Sequence, residues 1–157
     1  MVKLSKSKVS YILSAVVVVA VLIYFYPELQ KISQNGADKV IVPENYPTGT
    51  KVFIYNSLPP NFPSEIILEN KELTYSGTVT APKTPNKTTV SYISDSKITD
   101  LVKMYENVFK TNNWSIASKS VTNKLAIFQI SQETQKITFT LVPIKDKGVM
   151  VTFQYQR

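Results

Sequence analysis

Two periods of apolar residues, with a single switch between them, constrain this chain more than any other feature. Ile137, Phe139 and Leu141 alternate with Lys136, Thr138 and Thr140, and Val149, Val151, Phe153 and Tyr155 alternate with Met150, Thr152, Gln154 and Gln156. Successive side chains on a strand point to opposite faces, so each run reads as a strand with one face turned to a core. Leu73, Tyr75, Gly77 and Val79 alternate in the same way with Thr74, Ser76, Thr78 and Thr80, and a strand over 88–94 follows with Val90 and Tyr92 on one face. The period then changes. Ile98, Leu101, Val102, Tyr105, Val108 and Phe109 fall at helical spacing and form one apolar stripe. Asp95 or Ser96 is expected to cap the start of this helix, and Asn112-Asn113 to stop it, because asparagine tolerates left-handed backbone.

Strands over 114–121 and 124–131, joined by a tight turn at Thr122-Asn123, complete the pattern, and Lys145-Asp146-Lys147-Gly148 reads as a further turn. The predicted order is ββαββββ. Short connections demand antiparallel neighbours, so the expected fold is α+β: an antiparallel sheet of about six strands with one helix packed on one face.

The N-terminus obeys a different rule. Lys3, Lys6 and Lys8 precede an uncharged run, residues 9–26, closed by Pro27-Glu28. As a helix this run would span about 27 Å, close to the hydrocarbon thickness of a bilayer. It is longer than the apolar region of a cleaved signal peptide, and no small-x-small site follows it. The expectation is an uncleaved, single-pass transmembrane signal anchor in contact with membrane lipid through residues 9–26. The lysines place the N-terminus in the cytoplasm and the C-terminal body outside the cell membrane. Residues 1–27 then form the basic tip and anchor, 28–57 a linker carrying Pro43, Pro47, Gly36 and Gly49 with a short β-type run at Lys51 to Tyr55, and 58–157 the extracytoplasmic domain.

Composition narrows the chemistry. The chain has neither cysteine nor histidine, which removes disulfides, histidine-assisted nucleophilic catalysis and the common zinc sites. The net charge is +7, but Lys3, Lys6 and Lys8 supply three of it, leaving 15 basic and 11 acidic residues in the body. The basic residues are scattered, and Arg157 is the single arginine. Arginine is the preferred reader of phosphates and base edges, so nucleic acid is not an expected partner.

Asn61-Phe62-Pro63, Tyr105 and Asn113-Trp114, followed by alternating strands as far as Tyr155, resemble a group of bacterial envelope domains. Its pattern is a proline-aromatic-proline lead-in, a strand pair, a helix ending at Gly-Trp, and C-terminal strands. The resemblance covers residues 58–157, with Asn113 standing where the pattern favours glycine. It implies a membrane-anchored extracytoplasmic domain and no particular activity.

Three groups of residues invite a chemical reading. Ser94 and Lys97 have the S-x-x-K spacing that lets a lysine assist a serine nucleophile, although helix capping is the ordinary role for this position and no K-T-G follows. Glu65, Glu69 and Glu72 are three acids close together, but they lack the Asp-rich loop of a calcium site and read as a solvated charge run. No cofactor or metal is expected. Thr138, Thr140, Thr152 and Gln154, with the threonines of the first strand, are expected to make a polar sheet face. An antiparallel sheet with one solvated face needs no function to explain such a surface. As a docking surface it would take an envelope protein or a glycan. The expected function is non-enzymatic binding or scaffolding in the cell envelope. Two other readings compete with it. One is an accessory or pilin-like subunit of a secretion machine, although the chain lacks the pilin cleavage junction. The other is an envelope hydrolase using carboxylates or the serine–lysine pair.

Overall fold

Two antiparallel meanders meet along one seam. The computed structural model describes residues 39–41, 47–60, 62–67 and 69–156, all within the unit spanning Gly36–Arg157. The first meander contains β1 (Lys39–Ile41), β2 (Lys51–Ile54), β3 (Leu73–Thr80) and β4 (Lys87–Ser94). The helix α1 (Ile98–Thr111) carries the chain to the far edge of the sheet. There β5 (Ser115–Val121), β6 (Ala126–Gln132), β7 (Gln135–Ile144) and β8 (Gly148–Gln156) run back toward the first meander. The spatial order is β1-β2-β3-β4-β8-β7-β6-β5, and every pairing is antiparallel.

The sheet therefore has eight strands where alternation predicts six, and the expected fold needs this correction. The two extra strands, β1 and β2, come from residues read above as linker. At three and four residues they are too short to display a period, and pairing decides their state instead, β2 along β3 and β1 along β2. Among the described residues no helix is long and apolar enough to cross a membrane. The predicted transmembrane segment, residues 9–26, lies outside the described residues.

The core lies between α1 and one sheet face. Phe128, Phe139 and Phe153 are direct neighbours across β6, β7 and β8, and all three are fully buried. Tyr105 and Phe109 from α1 sit on this row. The Tyr105 ring is 4.3 Å from Phe139 and 5.6 Å from Phe153, and Phe109 is 5.3 Å from Phe139. Such aromatic pairs add roughly 0.5–1.5 kcal/mol each beyond the area they bury. At the edge Lys119 of β5 pairs with Glu106 of α1 and lies over the Phe128 ring.

Both ends of α1 are set locally, though not both as expected. Lys97 is the N-cap residue, and no side chain caps the start. Asp95 instead pairs with Lys71 at 2.6 Å, while the Ser94 hydroxyl accepts from the Ser96 N–H. The C-terminus is a Schellman motif: the Trp114 N–H donates to the Phe109 carbonyl and the Asn113 N–H to the Lys110 carbonyl. Asn113 holds φ at 60°, the left-handed position that explains why glycine is favoured in this motif. Trp114 is thereby turned back into the core.

One further correction concerns β3. A bulge lies between Leu73 and Tyr75. One extra residue reverses every later side chain on the strand. Ser76 now opposes Val90 and Thr78 opposes Thr88, so Ser76, Thr78 and Thr80 share the helix-side face. Tyr75, Gly77 and Val79 lie on the other face, opposite to the expectation from alternation. Gly77 is required there, because a Cβ would stand 2.9 Å from the Phe53 carbonyl oxygen.

Phe139→Ala should lower stability by about 3–5 kcal/mol in urea denaturation, since it empties the middle of the aromatic row. Asn113→Gly should keep or raise stability. Asn113→Val should lower it by roughly 1–2 kcal/mol, because a β-branched residue resists the left-handed region.

Candidate functional site

α1 does not cover the whole of its sheet face. It begins beside the Ser94–Val149 pair and ends where the Gln132 amide donates to the Asn112 carbonyl at 3.0 Å. Its backbone runs closest to β5, β6 and β7, and the Tyr105 side chain reaches β8 at Phe153. The corner formed by β2, β3, the start of β4 and the end of β8 is covered differently, by the segment that follows β2. That segment is pinned by the Tyr55 N–H donating to the Ser76 carbonyl at 2.9 Å and by the Ser76 hydroxyl donating to the Ser57 carbonyl at 2.6 Å. The adjoining prolines, Pro59 and Pro60, keep the backbone extended before a turn in which the Phe62 N–H bonds the Pro59 carbonyl. Phe62 then packs edge-on against Phe153 and Tyr155, with centroids 6.1 and 6.3 Å away.

Between this segment and the sheet lies a groove of about 280 Å³. Its floor is Thr88 and Tyr155, both buried, with Thr78 beside them. The half-exposed rings of Phe53 and Tyr55 form one wall, Thr80 adjoins the floor, and the exposed Pro60 and Asn86 stand at the rim. None of these eight residues is charged. The Thr78 and Thr88 hydroxyls bond each other at 2.9 Å, which satisfies one donor between them and leaves further hydrogen-bonding capacity. Tyr155 is 4 % exposed, and its hydroxyl is buried without a hydrogen-bond partner among the described residues. Leaving such a group unpaired costs about 1–3 kcal/mol.

The site residues expected from sequence fall elsewhere. Thr138, Thr140, Thr152 and Gln154 do share a face, since Thr138 opposes Gln154 and Thr140 opposes Thr152. Thr140 and Thr152 are each only 4 % exposed, and the Thr152 hydroxyl bonds Ser91 at 3.0 Å. Their hydroxyls therefore offer little accessible surface. The threonines of β3 do not join them, because the bulge sends Thr78 and Thr80 to the groove. Ser94 is fully buried and donates to Glu69 at 3.0 Å, whereas Lys97 is exposed at the helix start. Glu65 and Glu72 are exposed, and among the described residues no three acidic side chains group as a metal site.

A second polar cluster lies near the start of α1. The Tyr92 and Tyr105 hydroxyls are bonded to each other, with Glu69 beside them. Burial first, then the Tyr105 hydroxyl and the Glu69 carboxylate, push the Tyr92 hydroxyl far above its ordinary range. This group fastens the lead-in segment to β4 and α1, and its hydroxyls are engaged with each other.

A family model described as START domain-like matches residues 74–154, which is 81 of the 157 residues. The chain belongs to the START domain-like family. No curated protein and no solved structure gives a significant match. The START domain-like span runs from the β3 bulge into β8 and includes α1. It contains Thr78, Thr80, Asn86 and Thr88, but stops short of Phe53, Tyr55 and Pro60 on one side and of Tyr155 on the other. The lead-in motif Asn61-Phe62-Pro63 also lies outside it. The groove is thus formed where residues beyond the START domain-like span meet that span. Its aromatic wall could have been suspected from Phe53 and Tyr55 at two-residue spacing beside Pro59-Pro60. Its threonine floor depends on the bulge, which no periodicity signals.

Tyr155→Phe should raise stability by about 1 kcal/mol in urea denaturation, because it removes only an unpaired buried hydroxyl. Stability should also depend on pH through Tyr92. The raised folded-state pKa means that the unfolded chain loses this proton first, above about pH 10. Stability should be unaffected by this group below that value and fall as pH rises beyond it, and Tyr92→Phe should flatten that fall.

Proposed function

We propose that this chain is a non-catalytic ligand-binding domain of the cell envelope, held at a membrane by the apolar residues 9–26 with its body outside the cytoplasm, and that the β2–β3–β4 groove is its binding site. The groove carries the reading. It has a buried floor, half-exposed aromatic rings and unsatisfied hydrogen-bonding capacity, the usual make-up of a recognition site. The membrane attachment and the outward orientation rest on Lys3, Lys6 and Lys8 before the uncharged run. The hydrolase alternative draws no support from the S-x-x-K residues, since the Ser94 hydroxyl is given to Glu69 and Lys97 faces solvent.

Protease added to spheroplasts should digest residues beyond Pro27, and full protection of the body would reject the orientation. Thr80→Trp, which obstructs the groove, should preserve the circular-dichroism spectrum and fail to complement a deletion strain, while Lys97→Ala should complement fully. The opposite pattern, with Lys97→Ala inactive and Thr80→Trp active, would replace binding by hydrolysis.

A further inference from the structure

We infer that the groove takes one ring of a neutral saccharide. The inference rests on the groove being the binding site and adds the chemical class of its ligand. Three observations converge on it. First, no charged side chain among the described residues lines the groove. A carboxylate, phosphate or ammonium brought against Tyr155 and Thr88 would lose water without gaining a counter-charge, which is strongly unfavourable. Second, the polar lining is made of hydroxyls and one amide, groups that both donate and accept. Sugar hydroxyls have the same dual character, so each can pair in either sense. The Thr78 and Thr88 hydroxyls, which share one hydrogen bond and keep further capacity, would pair with such a ligand and go unused against an acyl chain. Third, Phe53 and Tyr55 present half-exposed rings above a hydroxyl floor. A pyranose has an apolar C–H face and a polar hydroxyl edge, and that division matches wall and floor.

Size agrees with this assignment. A volume of about 280 Å³ lies at the lower limit of pockets that hold drug-sized molecules, roughly 300–1,000 Å³. It accommodates a single ring with its neighbours projecting past the exposed rim at Pro60 and Asn86, and it is too small to enclose a long lipid. A peptide that binds by strand addition would seek free backbone along a strand edge, whereas this groove lies on a sheet face; a proline-rich peptide, which takes aromatic-lined grooves, is the competing occupant for the test.

The test is amide-shift mapping by NMR on the full chain, titrated separately with maltotriose, cellotriose and chitotriose at millimolar concentration. Trigalacturonate, a proline-rich decapeptide and decanol serve as the other probes. At least one neutral trisaccharide should move the amides of Thr78, Thr80, Asn86 and Thr88, and trigalacturonate should not. Thr88→Val should weaken that trisaccharide about tenfold while the circular-dichroism spectrum is unchanged. Tyr55→Ala should weaken it to a similar degree. Groove shifts with the peptide or decanol alone would overturn the saccharide assignment and leave the binding-groove reading standing. Trisaccharide shifts confined to other parts of the sheet would overturn both. Unchanged affinity in Thr88→Val and Tyr55→Ala would likewise reject the saccharide contact described here.

Discussion

The row of Phe128, Phe139 and Phe153 beneath Tyr105 and Phe109 is the contact on which the rest of the domain depends. It draws three strands and the helix into one interior, and each ring is fully buried. Because the row follows the hydrogen-bonding direction of the sheet, strand register and core packing are a single condition. A one-residue slip of β7 would move Phe139 to the opposite face and separate its neighbours. Phe62 extends the contact from Phe153 to Tyr155 and so links the core to the groove. The recognition surface is therefore braced by the same aromatic interior that stabilises the fold.

Much of this architecture was legible in the residues. The strict alternation of 136–142 and 149–156 placed β7 and β8 and their inward faces, and the stripe from Ile98 to Phe109 placed α1. The preference of asparagine for left-handed backbone placed the helix stop at Asn113. What escaped was decided by tertiary pairing. β1 and β2 contain too few residues to carry a period. The bulge in β3 adds a residue that leaves the sequence pattern intact while reversing its meaning. The helix cap escaped for a related reason: Asp95 or Ser96 was expected, but Lys97 is the N-cap and Lys71 from the lead-in draws the Asp95 carboxylate away.

The candidate site was legible only in its parts. Phe53 and Tyr55 lay in residues 28–57, which read as linker, and Pro59-Pro60 at the start of the domain, so nothing joined them into one wall. Thr78 and Thr80 stood out as polar members of a strand and were assigned to the solvent face. The bulge moves them to the helix side, and the pinned segment after β2 makes a groove of that corner. The START domain-like span supplies the platform, and flanking residues supply much of the recognition surface. Specificity can then vary through those flanks without disturbing the helix and the strands beneath it.

The position of β8 has a consequence for biosynthesis. It forms one side of the seam, bonded to β4 of the first meander and to β7 of its own, and it is the last of the eight described strands to be made. A nascent chain ending before Gly148 holds two half-sheets with open edges and no strand pairing between them. Phe153 and Tyr155, the residues that complete the core and the groove floor, are both absent at that stage. Such open edges are sticky, and their exposure lasts as long as translation of the final strand takes. Ribosome pausing just upstream of β8 would therefore favour misassembly, and a chaperone acting on this chain would be needed most in that interval.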